Sequence, residues 1–480
     1  MHRCLAIGGL AIGAVLAACA VGPNYHKPET PVDGRFVNAG EPGFARGDIV
    51  QQYWTGFADP MLNDLVQDAL LHNRDLAAAA ANLRAARAAR RLAGFDQYPT
   101  VNLAGGYSKN LDAQEQLPGV PFQEREFDIA QAGFDGLWEL DLFGRVRRNV
   151  EAARGDVGAS TATLQDARVS VIAEVTRDYF VLRGLQDQLA LTTRNADNQM
   201  STLTLTRNRL EAGRGNELDT SRAEAQWQTT LASIPSLEAT IATTIYRLSV
   251  LTGRQPAALS ERLTPVAVTP PLPPLNAIGT PEQLLRRRPD VRVAERRLAA
   301  ATARIGVAMG DLFPRVTMNG EIGYAAPSFG DFGQSGARFF SFGPSITWAA
   351  FDLGRVQARI GESKALTDAA LATYQSAVLN ALEDTEGALI TYGRAQTRRQ
   401  ALQIAAAASD KAADLARKRF EGGLIDFLEV LDAERTSLSA ELLLSQSRTD
   451  SATSLIAVYK ALGAGWEANP DGPAVAAAGR

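Results

Sequence analysis

Apolar residues recur along most of this chain in steps of three and four, the spacing that gathers them on one side of an α-helix. Val171, Val175, Leu182, Leu185 and Leu189 form one such stripe, interrupted by Asp178; Ile234, Leu237, Ile241, Leu248 and Leu251 form another, with Thr244 in register. The first stripe lies in a long proline-free stretch, from Phe122 to Ile234, and a second such stretch runs from Ser345 to Asn469. One helix from Arg145 to Leu210 would be about 100 Å long at ~1.5 Å per residue, far beyond the usual three or four turns, so it needs a lateral partner. Heptad-like seams would supply one. A one-sided core in a soluble helical bundle gives the same spacing, and periodicity leaves the two open.

Elsewhere the period drops to two. Val316 to Tyr324 alternates apolar and polar residues, the mark of a strand with one greasy and one wet face, and Val101 to Tyr107 is a poorer copy. A second strand follows each, Phe127 to Trp138 and Phe340 to Trp348, with Phe340, Phe342, Ile346 and Trp348 on one face. Pro344 on that face fits best at a bulge or where its missing N–H is not needed. Ahead of each strand pair the pattern predicts an Ala- and Arg-rich helix, from about Pro60 to Gly94 and from Pro281 to Gly310. Each has proline in its opening turn and is stopped by Pro99 or Pro314.

These parallels reflect an internal two-fold repeat. A shift of 210 positions pairs Trp138 with Trp348, Gly144-Arg145-Val146 with Gly354-Arg355-Val356, Gly213 with Gly423, Ala223-Glu224 with Ala433-Glu434, and Gly253 with Gly463, without a gap. Upstream the shift is 215, pairing Asp75 with Asp290 and Pro99 with Pro314, so one loop differs in length. Between the copies, Thr264 to Pro281 carries six prolines and predicts an extended linker.

The N-terminus changes the picture. Met1-His2-Arg3, an apolar run from Leu5 to Leu16 and Leu16-Ala17-Ala18-Cys19 read as a bacterial secretion leader ending in a lipobox. The run is too short for a bilayer, which takes roughly 20 residues. The Cys19 thiol is the nucleophile that would take up a diacylglycerol, cleavage before it would free the amine for an N-acyl chain, and Cys4 would leave with the leader, so no disulfide holds the fold. The 49 Lys and Arg residues, less Arg3, stand against 53 Asp and Glu, about −5 overall, which offers nothing to nucleic acid. His26 and His72 lack partners at metal-ligand spacing, and no constellation for catalysis or cofactor binding stands out. No later stretch is long and apolar enough for a transmembrane helix, so any membrane crossing would use strands.

Four amphipathic strands of about ten residues suit a bilayer in length, but four cannot close into a barrel. Unpaired edges in lipid cost several kcal/mol per group, and the smallest barrels have about eight strands. Copies of the chain must then share one wall.

Cys19-Ala20-Val21-Gly22-Pro23-Asn24-Tyr25 with Pro28, the turn from Trp138 to Arg145, its partner from Trp348 to Arg355, and the two Arg-x-Arg-x-Glu-x-Gly segments resemble the outer-membrane factor family. The likeness is greatest to its lipoprotein branch, the TolC/OprM/NodT-type efflux proteins, and covers nearly the whole chain. It implies a mixed α and β membrane protein: a homotrimer whose twelve strands, four per chain, form one transmembrane β-barrel, continued by a long periplasmic α-helical barrel with an equatorial domain. On this frame residues 1–18 are the signal peptide, 19–59 a lipidated equatorial segment, 60–263 and 281–465 the two repeats, 264–280 the linker and 466–480 a flexible tail.

The resemblance implies a passive exit duct in the outer membrane, not an enzyme, working with a periplasmic adaptor protein and an inner-membrane pump of the resistance-nodulation-division type. Adaptor contact is expected at two helix-turn-helix tips, at Gly213, Arg214 and Asn216 and at Gly423 and Leu424, with Asp426 lining the closed aperture. Ile425 stands where many relatives have Asp. Glycine permits a left-handed residue at a helix C-terminus, and Asn216 and Asp426 are also well typed simply to cap the following helices. Asp219 to Glu224 and Asp432 to Arg435 are expected to pair helices. Two other readings remain: the same duct serving type I protein secretion, and a periplasmic coiled-coil structural lipoprotein.

Overall fold

The computed structural model describes residues 20–40, 50–267, 269–275 and 277–467. The leader, Cys19 and residues 468–480 of the expected tail lie outside the described residues. The main elements run α1 (Pro60–His72), α2 (Arg74–Phe95), β1 (Thr100–Leu111), β2 (Glu126–Leu140), α3 (Arg145–Glu211), α4 (Glu217–Leu251), α5 (Pro281–Arg287), α6 (Pro289–Gly310), β3 (Arg315–Ala326), β4 (Arg338–Thr347), α7 (Leu353–Glu421) and α8 (Phe427–Ala461). Two compact units form, one from Met1–Glu29, Asn82–Thr161 and Val293–Ser376, the other from Thr30–Ala81, Ala162–Arg292 and Ala377–Arg480. Each draws on both halves of the chain.

The first unit holds an antiparallel four-stranded sheet in the order β1-β2-β3-β4. Its register lines up side chains in rows. Leu103, Phe134, Ile322 and Phe340 are mutual partners across all four strands, and the neighbouring row is Asn102, Asp135, Glu321 and Ser341. Successive residues point to opposite faces, so one face is aliphatic and aromatic and the other polar. The apolar row is uncovered, with Ile322 63% and Phe340 82% exposed, which is unusual for so large a patch on a soluble monomer. β1 runs past the expected Val101 to Tyr107, because its ladder to β2 continues through Ser108, Lys109, Asn110 and Leu111, where side-chain alternation gives no signal. Pro344 falls in edge strand β4, where a missing donor is tolerated. Trp348 lies just beyond β4 and donates its indole N–H to the Leu312 carbonyl at 3.1 Å, as Trp138 does to Gln97 at 3.0 Å.

At the end of β2 the chain turns into α3. Asp141 accepts the Val146 and Arg147 N–H groups, both at 2.9 Å, and Arg145 makes a two-pronged ion pair with Glu139 at 2.9 and 2.6 Å. Phe143 stacks on Phe313 with centroids 4.6 Å apart.

The second unit is helical. α3 and α7 enter it as continuous helices of 67 and 69 residues, and α4 and α8 of 35 residues each complete two hairpins. Their apolar stripes bury Val171, Val175, Leu182, Leu248 and Leu455 around an aromatic centre. Tyr53, on a 3-10 turn spanning Tyr53–Phe57, stacks on Tyr459 at 4.6 Å, and Phe57 packs against Phe180 at 4.7 Å. Asp59 caps α1 with one carboxylate oxygen and accepts the Tyr179 hydroxyl with the other. Burial, reinforced by that carboxylate, pushes the Tyr179 phenol up to about 12. Buried side chains serve carbonyls where the chain enters the proline-rich linker: Gln186 donates to Leu263 O at 2.7 Å and to Thr264 O at 3.2 Å, and Arg183 to Pro265 O at 3.2 Å.

Each helix expected ahead of a strand pair proves to be two. The first breaks at Asn73, whose side-chain oxygen accepts the Asp75 and Leu76 N–H groups while its amide donates to the Leu251 carbonyl at 2.9 Å. The second breaks at Arg288, because Pro289 lacks an N–H and drives the preceding residue out of the helical region, to φ −59 and ψ 122. Pro235, by contrast, is carried inside α4.

Asp178, the one acid in the first stripe, is only 6% exposed; Arg177 donates to its Oδ1 at 2.9 Å, while Oδ2 has no partner. Burial holds its carboxyl above the ordinary 3.8, against the pull of Arg177. A raised folded-state value favours the neutral acid, so the stability present below pH 3.8 is lost as pH rises through the folded value. Asp178→Asn is therefore expected to unfold a few degrees above the wild type at pH 7.5, a difference that closes toward pH 3.8, as thermal melts in detergent across that range will read out.

Candidate functional site

The two interhelical turns of the helical unit, α3 to α4 and α7 to α8, are built alike. The α3 helix ends at Glu211, after which Gly213 takes a left-handed φ of 70; its N–H reaches the Leu210 carbonyl at 2.9 Å and that of Arg214 reaches Arg209 at 2.8 Å. At the other turn Gly423 has φ 74, its N–H bonds Phe420 O at 2.9 Å and that of Leu424 bonds Arg419 O at 2.9 Å. This paired bonding satisfies the last carbonyls of a helix and demands a residue without Cβ strain at the left-handed position.

The helix starts differ. Asn216 caps α4 by accepting the Asp219 N–H at 2.8 Å. Asp426 occupies the cap position of α8 with extended backbone but makes no side-chain cap bond, and it stands exposed. Capping is thus confirmed for Asn216 and not for the Asp426 carboxylate. Gly213, Arg214, Asn216, Gly423 and Leu424 are exposed as well, Leu424 at 75%.

Between the turns lies a small core that spacing alone does not reveal. Phe420 and Phe427 pack at 5.7 Å with Leu203, Val430 and Leu431. Arg209 crosses from the first turn, its guanidinium 4.3 Å from the centre of the Phe420 ring and its Nη1 donating to the Phe420 carbonyl at 2.9 Å. One contact thus combines cation–π attraction with satisfaction of a helix-terminal carbonyl. The hint was the repeat itself, which sets Leu210 in register with Phe420.

Further along the helices the acidic segments pair as charges between neighbours. Glu434, 8% exposed, accepts from Arg417 at 2.9 Å and from the Thr202 hydroxyl at 3.2 Å, and Arg207 meets Glu224 at 3.2 Å. Arg194 bonds Glu441 at 2.9 Å beside a polar cavity of about 230 Å³ that also takes in Gln199 and Asp410. Among the described residues no group of three His, Cys, Asp or Glu side chains is placed to hold a metal ion. No described helix is long and apolar enough to cross a membrane.

Comparison with known proteins places this arrangement. Nodulation protein T of Rhizobium leguminosarum bv. trifolii is 30% identical over 457 residues, 94% of this chain and 96% of the relative. The antibiotic efflux pump outer membrane protein ArpC of Pseudomonas putida is 30% identical over 467 residues, 94% of each chain. The solved outer-membrane channel OprN superposes with a TM-score of 0.88 at 41% identity, over 94% of this chain and all of that one. The model of the family described as outer membrane efflux protein matches residues 65–254 and again residues 280–464. With the sheet, the paired hairpins and these matches in agreement, the chain belongs to the outer membrane efflux protein family.

Proposed function

We propose that three copies of this chain close their sheets into one twelve-stranded barrel through the outer membrane and continue it as a helical conduit across the periplasm. The assembly is a passive exit duct that receives small toxic compounds from a periplasmic adaptor and an inner-membrane pump of the resistance-nodulation-division type. It performs no chemistry on what passes.

One observation carries this reading: a four-stranded sheet with an uncovered apolar face and two unpaired edges, at β1 and β4. In hydrocarbon each unpaired N–H or C=O costs several kcal/mol, which pairing β4 of one copy with β1 of the next removes. Twelve strands also leave room for solute, where eight are filled by side chains. The two family matches, offset as the sequence repeat is, support two copies of one ancestral unit, spanning 60–263 and 281–465. A relative named for antibiotic efflux favours small-molecule export over protein secretion.

In this assembly Gly213, Arg214, Asn216, Gly423 and Leu424 face the adaptor, and Asp426, which makes no cap bond, is free to line the aperture as a threefold acidic ring. Lipid on Cys19 anchors each chain to the inner leaflet.

Protein purified in detergent is expected to crosslink as a trimer, to migrate heat-modifiably and to conduct in planar bilayers, with Asp426→Ala giving a larger single-channel current. A water-soluble, non-conducting monomer would rule out the duct, and an unchanged current would remove Asp426 from the aperture. Deleting the gene should sensitise cells to small toxic compounds; unchanged tolerance with loss of a secreted protein would select the type I reading. Cys19→Ser should abolish incorporation of radiolabelled palmitate, whereas wild-type labelling of that variant would refute the anchor.

A further inference from the structure

Within the sheet-bearing unit, the stretch Ala20–Asn24 is seated in a groove whose floor is glycine. A Cβ added to Gly306 of α6 would lie 2.8 Å from Arg148 Cγ and 2.9 Å from the Val21 carbonyl. Gly22, at φ +95, lies so close to Gly306 that its own Cβ would fall 2.4 Å from the Gly306 Cα, and one on Gly144 would fall 2.6 Å from Ala20. All four distances are closer than real Cβ atoms permit, and where Gly22 meets Gly306 backbone rests on backbone.

A single buried guanidinium holds the stretch. Arg148, with its side chain 5% exposed, donates Nε to Val21 O at 3.0 Å, and Nη2 to Gly22 O at 3.1 Å and to Asn24 Oδ1 at 2.8 Å; Nη1 meets Glu151 at 2.7 Å. Val21 in turn donates its N–H to Phe143 O at 3.0 Å, three residues beyond the end of β2. Downstream, the Tyr25 hydroxyl donates to Glu295 at 3.2 Å. Val21, Gly22 and Asn24 are thus all read by one side chain, with Tyr25 held separately by Glu295. A fixed fork of five donors can do this where the point charge of lysine cannot.

We propose that this groove is a docking site for the chain's own acylated N-terminus, with Arg148 as the positioning residue that sets where the lipid enters the leaflet. The inference rests on the lipid-anchor reading for what is delivered, but the docking stands apart from it. With Val21 pinned, only Ala20 separates Cys19 from a fixed point at the rim of the sheet, and each residue of slack reaches at most ~3.6 Å. The acyl chains therefore cannot roam; they are held where β2 passes into α3.

Amide deuterium exchange on the detergent-purified full-length protein tests this. The Val21 amide, which donates to Phe143 O, is expected to exchange slowly in the wild type and equally slowly in Cys19→Ser. In Arg148→Ala and in Gly306→Val its exchange should rise by about tenfold or more, with peptides from β2 unchanged. Arg148→Lys should not restore protection. Exchange as fast as in an unstructured peptide, or protection that survives both Arg148→Ala and Gly306→Val, overturns the docking site. Palmitate labelling reported on the same samples separates the two readings: label lost from the wild type with docking intact sinks the anchor alone, and docking lost with label intact sinks this inference alone.

Discussion

Hydrogen-bonding groups along the outer edges of β1 and β4 set the terms for the rest of this molecule. A strand edge in water can be solvated; an edge beside hydrocarbon cannot. The row from Leu103 to Phe340 shows that one face of the sheet is made for hydrocarbon, while the row from Asn102 to Ser341 behind it is made for water. A sheet with those two faces and two open ends suits one sector of the closed wall proposed above. As an outer-membrane protein of an efflux family, the chain has a setting in which that wall makes sense.

Much of this was legible in the residues, because the two signals involved are local. Period-two alternation located β3 and β4, and a proline-free run with a three-four stripe located α3 to within a few residues, while for α7 the sequence offered only the proline-free run that contains it. The breaks at Asn73 and Arg288 were missed for different reasons. The Ala-rich run after Asn73 keeps helical propensity high, so the buried partner of Asn73, the Leu251 carbonyl, decides the matter, and that partner is distant in sequence. At Arg288 the signal was present in Pro289 and was outweighed by the continuity of the pattern. Asp426 was read as well typed to cap by residue type, yet only Asn216 spends its side chain that way. Arg209 on Phe420 was not read, because the repeat aligns the two turn segments without saying that a side chain of one crosses to the other.

Several buried polar groups follow one logic. Where backbone departs from helix or sheet at these places inside a unit, a long side chain supplies the bond that regular structure would have given. Gln186 and Arg183 serve the proline-rich linker, Arg148 serves the first described residues, and Arg288 donates to the Ala461 carbonyl at 3.2 Å while pairing with Asp290 and Asp384. Asp178 departs from this pattern, with one oxygen left unpartnered in an otherwise apolar seam.

Each compact unit is spliced from three separate stretches, and the helical one needs residues from Ala377 onward. Most of the polypeptide must therefore emerge from the translocation machinery before either core can assemble. Until then the apolar stripes of α3 and the strand faces are exposed to self-association, the hazard that accompanies contacts between remote parts of a chain. Loss of the stretch from Ala377 onward would leave the helical unit without one of its three parts, however complete the rest of the chain.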